Sequence, residues 1–409
     1  MTTLNDSRSR PFLADRVQSA KPSATKEMTR LANQLKREGR SIITLSQGEP
    51  DFPTPEHVRE AGRAAIDRNE SRYTDVAGTH ALREAVVRKF ERDNGLTFTP
   101  DQIQVGCGAK QVLYNALQAT LNPGDEVVIP TPAWVSYPEM VQLAGGTPVI
   151  VRCDAATGFK ITPQQLENAI TPRTKWLMVN SPSNPSGAVY TYDELAALGE
   201  VLLRHPQVWI MADDIYEKIR YDETPFATPA AVTPALALRT LTINGVSKAY
   251  AMTGWRVGFG AGPLDLIKAM NLIQSQSTSH TSSISQAASI AALDGPMDFL
   301  PQFVKAFRHR RDFVVHALND IDGVSCDLPP GAFYAFPSCQ ALLGRRDASG
   351  AVMASDSDLA AYLLREGGVA IVPGSAFELP GYFRISYAAS DEDLSEAMSR
   401  IAAACAQLR

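Results

Sequence analysis

Lys248 stands beside Ser247 in N-G-V-S-K-A-Y-A-M-T-G-W-R-V-G-F-G, residues 244–260, just after a β-like run over 240–243. A lysine amine whose pKa is lowered by burial or by a nearby cation can bond covalently to an aldehyde and can also move protons. Arg256, eight residues on, can hold a phosphate. Most lysines are simply solvated, so this reading depends on partners elsewhere in the chain. Asp213 ends the apolar run 208–212. An acid in that position either caps a helix or pairs with a buried cation. Tyr216, three residues later, is either a core ring or a phenol donor. Asn184 lies in N-S-P-S-N-P-S-G, residues 180–187, where an ordinary turn before proline is the plainer alternative.

The segment G-C-G-A-K, residues 106–110, follows an expected strand and opens an expected helix. Small residues let backbone N–H groups approach a phosphate, and a helix N-terminus favours an anion. The third glycine of a dinucleotide fingerprint would fall at position 111, which is Gln111, so a nicotinamide site is rejected. Trp134 can stack on a planar ring or fill core. Arg384, in F-R-I-S-Y (383–387), can clamp a carboxylate with two parallel hydrogen bonds. No one of these is specific alone, but in this order they fit one cofactor, pyridoxal 5′-phosphate.

The elements that must position these residues alternate along the chain. Strands are expected over 41–45, 103–105, 126–129, 147–152, 175–180, 208–212, 240–243 and 257–261. Helices are expected between them, over 110–120 and 135–143 among others. Capping boxes at Thr162–Gln165 and Thr191–Glu194 open two more. Met28, Leu31, Ala32 and Leu35 share one face of an earlier helix stopped by Gly39. Thr54 and Pro55 read as the N-cap and first position of another. Short apolar strands alternating with helices mean a mainly parallel sheet covered on both faces, and such sheets bind ligands beyond the strands' carboxyl ends. After Pro296 the texture changes to a long charged helix (297–319), a hairpin-like 324–336, a helix near 357–366 and strands near 369–372 and 383–387. This suggests a second, smaller α+β domain.

Bulk properties narrow the classes. The chain has 409 residues, enough for two domains, with 44% hydrophobic and 20% charged residues and a net charge of −5. No basic block suits nucleic acid. The five cysteines form no C-x-x-C, which argues against a disulfide framework or structural zinc and fits a reducing cytoplasm. The six histidines show no metal-binding spacing, so no metal is expected. The polar start does not read as a secretory signal, and no apolar stretch approaches the ~20 residues of a membrane span.

Several motifs together carry a family resemblance: S-K-A-Y-A-M-T-G-W-R-V-G (247–258), G-E-P-D-F-P-T-P (48–55), R-Y-T-D-V-A-G-T-H-A-L-R-E-A-V (72–86), P-A-W-V-S-Y-P-E-M (132–140) and N-S-P-S-N-P-S-G (180–187). Nearly the whole chain resembles the class I and II aminotransferases of fold type I, most of all the bacterial aspartate aminotransferase branch that includes aspartate/prephenate aminotransferases. The resemblance implies an α/β fold, with a mainly parallel seven-stranded sheet in a large domain and a smaller α+β domain. It places an N-terminal arm and part of the small domain at 1–50, the large cofactor-binding domain at 51–299 and the rest of the small domain at 300–409. It implies transamination between an L-α-amino acid and a 2-oxo acid such as 2-oxoglutarate. Lys248 would carry the cofactor and shuttle the proton. Asp213 would pair with the pyridine nitrogen, Tyr216 and Asn184 would bind the phenolate oxygen, and Trp134 would stack on the ring. Gly108, Ala109 and Lys110, with Arg256, would hold the phosphate, joined by Tyr73 from the other subunit of a homodimer. Arg384 would take the α-carboxylate, with Gly48 lining the site. Lys110, assisted by Ser23 and Thr25, would bind a distal carboxylate, favouring aspartate or another dicarboxylic amino acid.

The chain departs from the family pattern at several points. Ala133 stands where Tyr is common, which would enlarge the pocket and admit aromatic side chains. Gln47 stands where a small residue is frequent. His280, in a segment expected to enter the partner's site, stands where Asn or Ser is usual and could alter specificity. Gly245 replaces a Ser that contacts phosphate in some relatives. An aromatic or otherwise specialised substrate, or β-elimination on the same cofactor, therefore stays open. A cofactor-sensing regulator with this fold would carry a DNA-binding domain, and no basic recognition helix is visible.

Overall fold

The computed structural model describes residues 12–20, 24–223 and 225–409. Its strands, in chain order, are β1 (Ile43–Thr44), β2 (Ile103–Gly106), β3 (Glu126–Thr131), β4 (Thr147–Arg152), β5 (Thr174–Asn180), β6 (Trp209–Asp213), β7 (Thr240–Gly245), β8 (Gly258–Ala261), β9 (Tyr334–Ala335), β10 (Val369–Ala370), β11 (Val372–Pro373) and β12 (Phe383–Ser386). Seven form one sheet in the order β2-β8-β7-β6-β5-β3-β4. Only β8 runs against the others. Strands β6 and β7 are buried along almost their whole length, as a parallel sheet covered on both faces requires. One face packs on helices Ala109–Thr120 and Leu264–Ser275. The other packs on Pro163–Ala169 and Tyr192–Arg204.

Both expected capping boxes form. Thr162 and Thr191 accept from the N–H of Gln165 and Glu194, whose side chains return to the cap N–H groups. The helix near Pro55 differs from expectation. It spans Glu56–Asp67 with Pro55 as an uncapped N-cap, because the Thr54 hydroxyl is drawn away to the Ala251 carbonyl at 2.7 Å. Met28, Leu31 and Leu35 of helix Ala24–Arg37 pack on the cluster of Ala32, Ile42, Leu364 and Ala370.

The C-terminal region has its own core, built by helices Leu300–Asn319 and Asp391–Cys405 around the sheet β11-β12-β9. The expected hairpin over 324–336 reduces to β9 and an isolated bridge between Ser325 and Ser338. The helix expected near 357–366 ends as a helix at Tyr362 and continues as a π turn, Leu363–Gly367. β1 pairs with β10, so the early chain joins this region. Ile215, Tyr216, Ile219 and Tyr221, which follow β6, belong to the same core. The end of β6 is therefore clamped between the large sheet and the C-terminal core. Among the described residues, no helix is long and apolar enough to cross a membrane.

The tightest backbone crossing is at Gly258, where a Cβ would lie 2.1 Å from the Ala109 nitrogen and 2.4 Å from the Gly108 carbonyl carbon. Backbone cannot yield as a side chain can. Gly258→Ala is expected to destabilise by about 1–3 kcal/mol in denaturant unfolding. Gly254→Ala, where a Cβ meets nothing within 4 Å, is expected to stay within about 0.5 kcal/mol. Equal effects of the two would reject the crossing as the constraint.

Candidate active site

The carboxyl ends of the parallel strands bring the polar residues together. Asn180, last in β5, lies in register with Asp213, last in β6. Lys248 follows β7, and Ala109 opens the helix after β2. A cavity of about 790 Å³ occupies this crevice. Thr25, Gly48, Ala109, Lys110, Trp134, Asn184, Asp213, Tyr216, Lys248, Arg256 and Arg384 all line it. Gly108 adjoins through the Arg256 guanidinium, which lies 2.4 Å from where a Cβ at position 108 would stand. Ser23 lies outside the described residues. Tyr73 does not line this cavity and is 92% exposed.

Asp213 is buried, and its Oδ2 accepts from the Tyr137 hydroxyl at 2.6 Å. Its Oδ1 is buried with no hydrogen-bond partner. Burial pushes this carboxyl upward, while the Tyr137 hydroxyl, the Ile215 backbone and the Lys248 charge act the other way. Tyr137 stays a phenol, because burial and then the adjacent Asp213 push it well up. A buried carboxylate oxygen with nothing to accept from carries a desolvation cost that a cationic N–H would offset.

Lys248 donates to the Gly48 carbonyl at 2.6 Å. Its side chain borders the cavity, yet protein atoms surround the amine. Burial lowers its pKa to about 8, helped by Arg384 and Arg256 and opposed by Glu49 and Asp213. A Cβ at Gly48 would sit 2.3 Å from the Tyr334 hydroxyl, so only glycine allows this approach. That hydroxyl in turn lies 2.7 Å from the Tyr216 hydroxyl. Burial, then Tyr334, pushes the Tyr216 phenol well up.

Arg384 reaches the cavity from β12 and is 1% exposed. Its Nη1 donates to Asn184 Oδ1 at 2.8 Å and its Nη2 to the Ser46 carbonyl, while Nε has no partner. The guanidinium lies 4.6 Å from the centre of the Tyr334 ring. Burial pushes it below its ordinary pKa. Arg256 adopts a left-handed backbone (φ 59°) and donates to the carbonyls of Thr253 and Cys107 at 2.9 and 3.1 Å. Lys110 donates to Ser136 Oγ at 3.0 Å and sits 4.5 Å from the centre of the Trp134 ring. Burial, then Lys26 and Arg256, lowers its pKa.

Some site residues escaped the sequence reading. Tyr137 is three positions past Trp134 in a quoted motif, but only the fold brings it to Asp213. Tyr334, Ser247 and Asn180 also line the cavity, and Asn180 Nδ2 donates to the Asp213 carbonyl at 2.8 Å. Gln47 lines the cavity as its neighbourhood to Gly48 suggested. Ala133 does not. It is buried among Tyr137, Met140 and Ile129, and its N–H bonds to the Phe377 carbonyl at 3.0 Å. The expected widening of the pocket at position 133 is therefore not found in this cavity. His280, expected in the partner's site, lies in its own protomer beside Tyr73 and Thr74.

These features suit a flat ring bearing a protonated nitrogen and a phosphate. Asp213 Oδ1 is poised to accept from such a nitrogen. The N-terminus of helix Ala109–Thr120 with Arg256 offers N–H groups and charge to the phosphate. Pyridoxal phosphate has both groups, and the aldehyde that a neutral lysine attacks.

Comparison with known proteins agrees. The family described as aminotransferase class I and II matches residues 40–401. An aspartate/prephenate aminotransferase of Cereibacter sphaeroides is 57% identical over 397 residues, covering 97% of this chain and 99% of that protein. The crystal structure of the aspartate aminotransferase from Rhizobium meliloti superposes with a TM-score of 0.94 at 54% identity, over 97% of this chain and 99% of that one. The Thermus thermophilus aspartate aminotransferase with maleate gives 0.90 at 42% identity, over 96% and 99%. With its lysine, aspartate and arginines converging on one crevice, the chain belongs to the class I and II aminotransferases, enzymes that work with pyridoxal phosphate.

Proposed function

We propose that this enzyme moves the amino group of aspartate, or another dicarboxylic amino acid, to a 2-oxo acid such as 2-oxoglutarate. One observation carries this reading. Lys110, Arg256 and Arg384 all border the cavity, and none makes an ion pair among the described residues. These three cations, without ion-pair partners of their own, suit bound anions. A cofactor phosphate accounts for one, and a substrate with two carboxylates for the others. The names of the relatives, and the dicarboxylate maleate in the Thermus structure, point the same way.

Pyridoxal phosphate supplies an aldehyde that bonds amines and a ring that withdraws electrons from the substrate Cα. The chain's residues do the rest. Arg256 and the backbone of Gly108, Ala109 and Lys110 hold the phosphate, with the partner subunit's Tyr73 completing the cradle in a homodimer. Asp213 keeps the ring nitrogen protonated, because an adjacent negative charge favours the cationic form. Tyr137 holds Asp213 in place. Tyr216 and Asn184 donate hydrogen bonds to the phenolic oxygen, and Trp134 covers one face of the ring. Arg384 fixes the α-carboxylate and so aligns the Cα–H bond. Lys248, about half neutral at pH 8, would take the proton from the substrate Cα and return it to the cofactor carbon that bore the aldehyde oxygen. Lys110 takes the distal carboxylate, with Thr25 on the same cavity border.

Prephenate is a second candidate. It appears in the name of the Cereibacter relative and carries two carboxylates about a ring, so the same two cations suit it. Neither substrate requires a location other than the cytoplasm, where we place the enzyme.

Two tests follow. Lys110→Ala should raise KM for aspartate about ten-fold or more, the scale of a charged hydrogen bond, while changing KM for phenylalanine little. Equal losses on both would assign Lys110 to the phosphate instead. The lowered pKa of Lys248 has a defined sign. Its amine is free above about 8 rather than above the ordinary 10.5. Acylation of Lys248 in the cofactor-free protein, followed by peptide mass mapping, should rise with pH to a midpoint near 8. A midpoint close to that of surface lysines would contradict the burial effect.

A further inference from the structure

We propose that His280 is a positioning residue for Tyr73, and that it ties the loop carrying Tyr73 to Arg256 of the same protomer. This rests on the reading that Tyr73 serves the cofactor phosphate in the partner's site. The Tyr73 ring is 92% exposed, so packing within its own protomer cannot fix its direction. The backbone must. The Thr74 N–H donates to His280 Nε2 at 3.2 Å. His280 Nδ1 lies 2.7 Å from the Thr281 carbonyl. An amide N–H can only donate and a carbonyl can only accept, so these two partners select one tautomer, with the proton on Nδ1. The imidazole meets the Tyr73 ring edge-on, with centroids 5.7 Å apart and planes at 89°.

The connection continues on the other side. The Thr281 hydroxyl donates to the Arg256 carbonyl at 2.8 Å. Buried Gln286 locks the same segment, donating to the Thr281 carbonyl at 2.9 Å and Thr74 Oγ1 at 3.1 Å, and accepting from the Thr79 N–H at 2.7 Å. Ser279, just before the histidine, has φ 61°, a left-handed conformation a serine adopts at a cost. That turn aims His280 at the Tyr73 loop. Arg256 belongs to the protomer's own cavity and Tyr73 to its partner's, so His280 and Thr281 join phosphate-binding groups of two active sites. His280 thus acts on the cofactor's hold through Tyr73, without lining the cavity.

The test compares binding of pyridoxal phosphate and of pyridoxal, which lacks the phosphate, to the cofactor-free protein by equilibrium dialysis. Tyr73→Phe is the reference. His280→Leu removes the acceptor for Thr74. His280→Gln can restore it through its amide oxygen. His280→Leu should weaken pyridoxal phosphate about three- to ten-fold, the scale of one hydrogen bond, and leave pyridoxal unchanged. His280→Gln should recover most of the loss. His280→Leu added to Tyr73→Phe should cost little more than Tyr73→Phe alone, as expected for residues acting in series. If His280→Leu does not fold, His280→Asn, too short to reach Thr74, replaces it in the comparison. Equal weakening of both ligands would overturn the proposal in favour of a general structural role. Wild-type binding by the His280 variants with a loss in Tyr73→Phe would overturn the proposal alone. Wild-type binding by both Tyr73→Phe and the His280 variants would overturn the reading of Tyr73, and the proposal with it.

Discussion

A carboxylate buried at the end of a parallel strand, with one oxygen satisfied and the other left without a donor, is the constraint around which this molecule is arranged. Asp213 is buried where it stands, and Tyr137 meets only half of its need. The remaining oxygen creates a demand for a cationic N–H. Asp213 is held from several sides. β6 lies between β5 and β7 in the middle of the large sheet. Asn180 of β5 binds the Asp213 carbonyl, and the residues that follow are packed into the C-terminal core. A group placed this firmly can discriminate between ring protonation states, because the surrounding sheet does not relax to accommodate the wrong one.

The second organising feature is charge. Lys110, Arg256 and Arg384 border the cavity from three different elements, the helix after β2, the left-handed turn at Arg256 and β12, and none of the three makes an ion pair among the described residues. Burial of Arg384 and Lys110 makes their charged forms costly, so bound anions regain what folding leaves unmet. The same buried environment lowers the Lys248 pKa. Anchoring of anions and activation of the amine are therefore two results of one desolvated, cation-rich crevice. The backbone around Arg256 adds a steric requirement. Gly108 and Gly258 lack side chains where Arg256 and the Ala109 backbone approach them, and Arg256 accepts a left-handed backbone to aim its guanidinium there.

Much of this was legible in the chain. Asp213 stood out because an acid ended an apolar strand. The capping boxes at Thr162 and Thr191 formed because their hydrogen bonds close within four residues. The mainly parallel sheet followed from alternating apolar runs and helices. What escaped depends on contacts distant in sequence. Tyr137 reads as an ordinary helix aromatic until β6 is placed beside it. Tyr334 lies far from both Gly48 and Tyr216. Thr54 had every local reason to cap a helix and instead bonds to Ala251, because the crossing chain offered a carbonyl. Ala133 sits beside Trp134 in the chain but points into the core, since neighbouring residues rarely share an environment. His280 looked like a residue of the partner's pocket, and only the turn at Ser279 shows what it contacts within its own protomer.

The protonation state of the ring nitrogen tests the central claim most directly. Nitrogen NMR of the enzyme reconstituted with pyridoxal phosphate labelled with ¹⁵N in its ring would read that state. If Asp213 Oδ1 takes a cationic N–H, the nitrogen resonates as pyridinium at neutral pH in the native enzyme and as neutral pyridine in Asp213→Ala. A neutral nitrogen in the native enzyme, or a pyridinium signal unchanged by removal of the carboxylate, would contradict it.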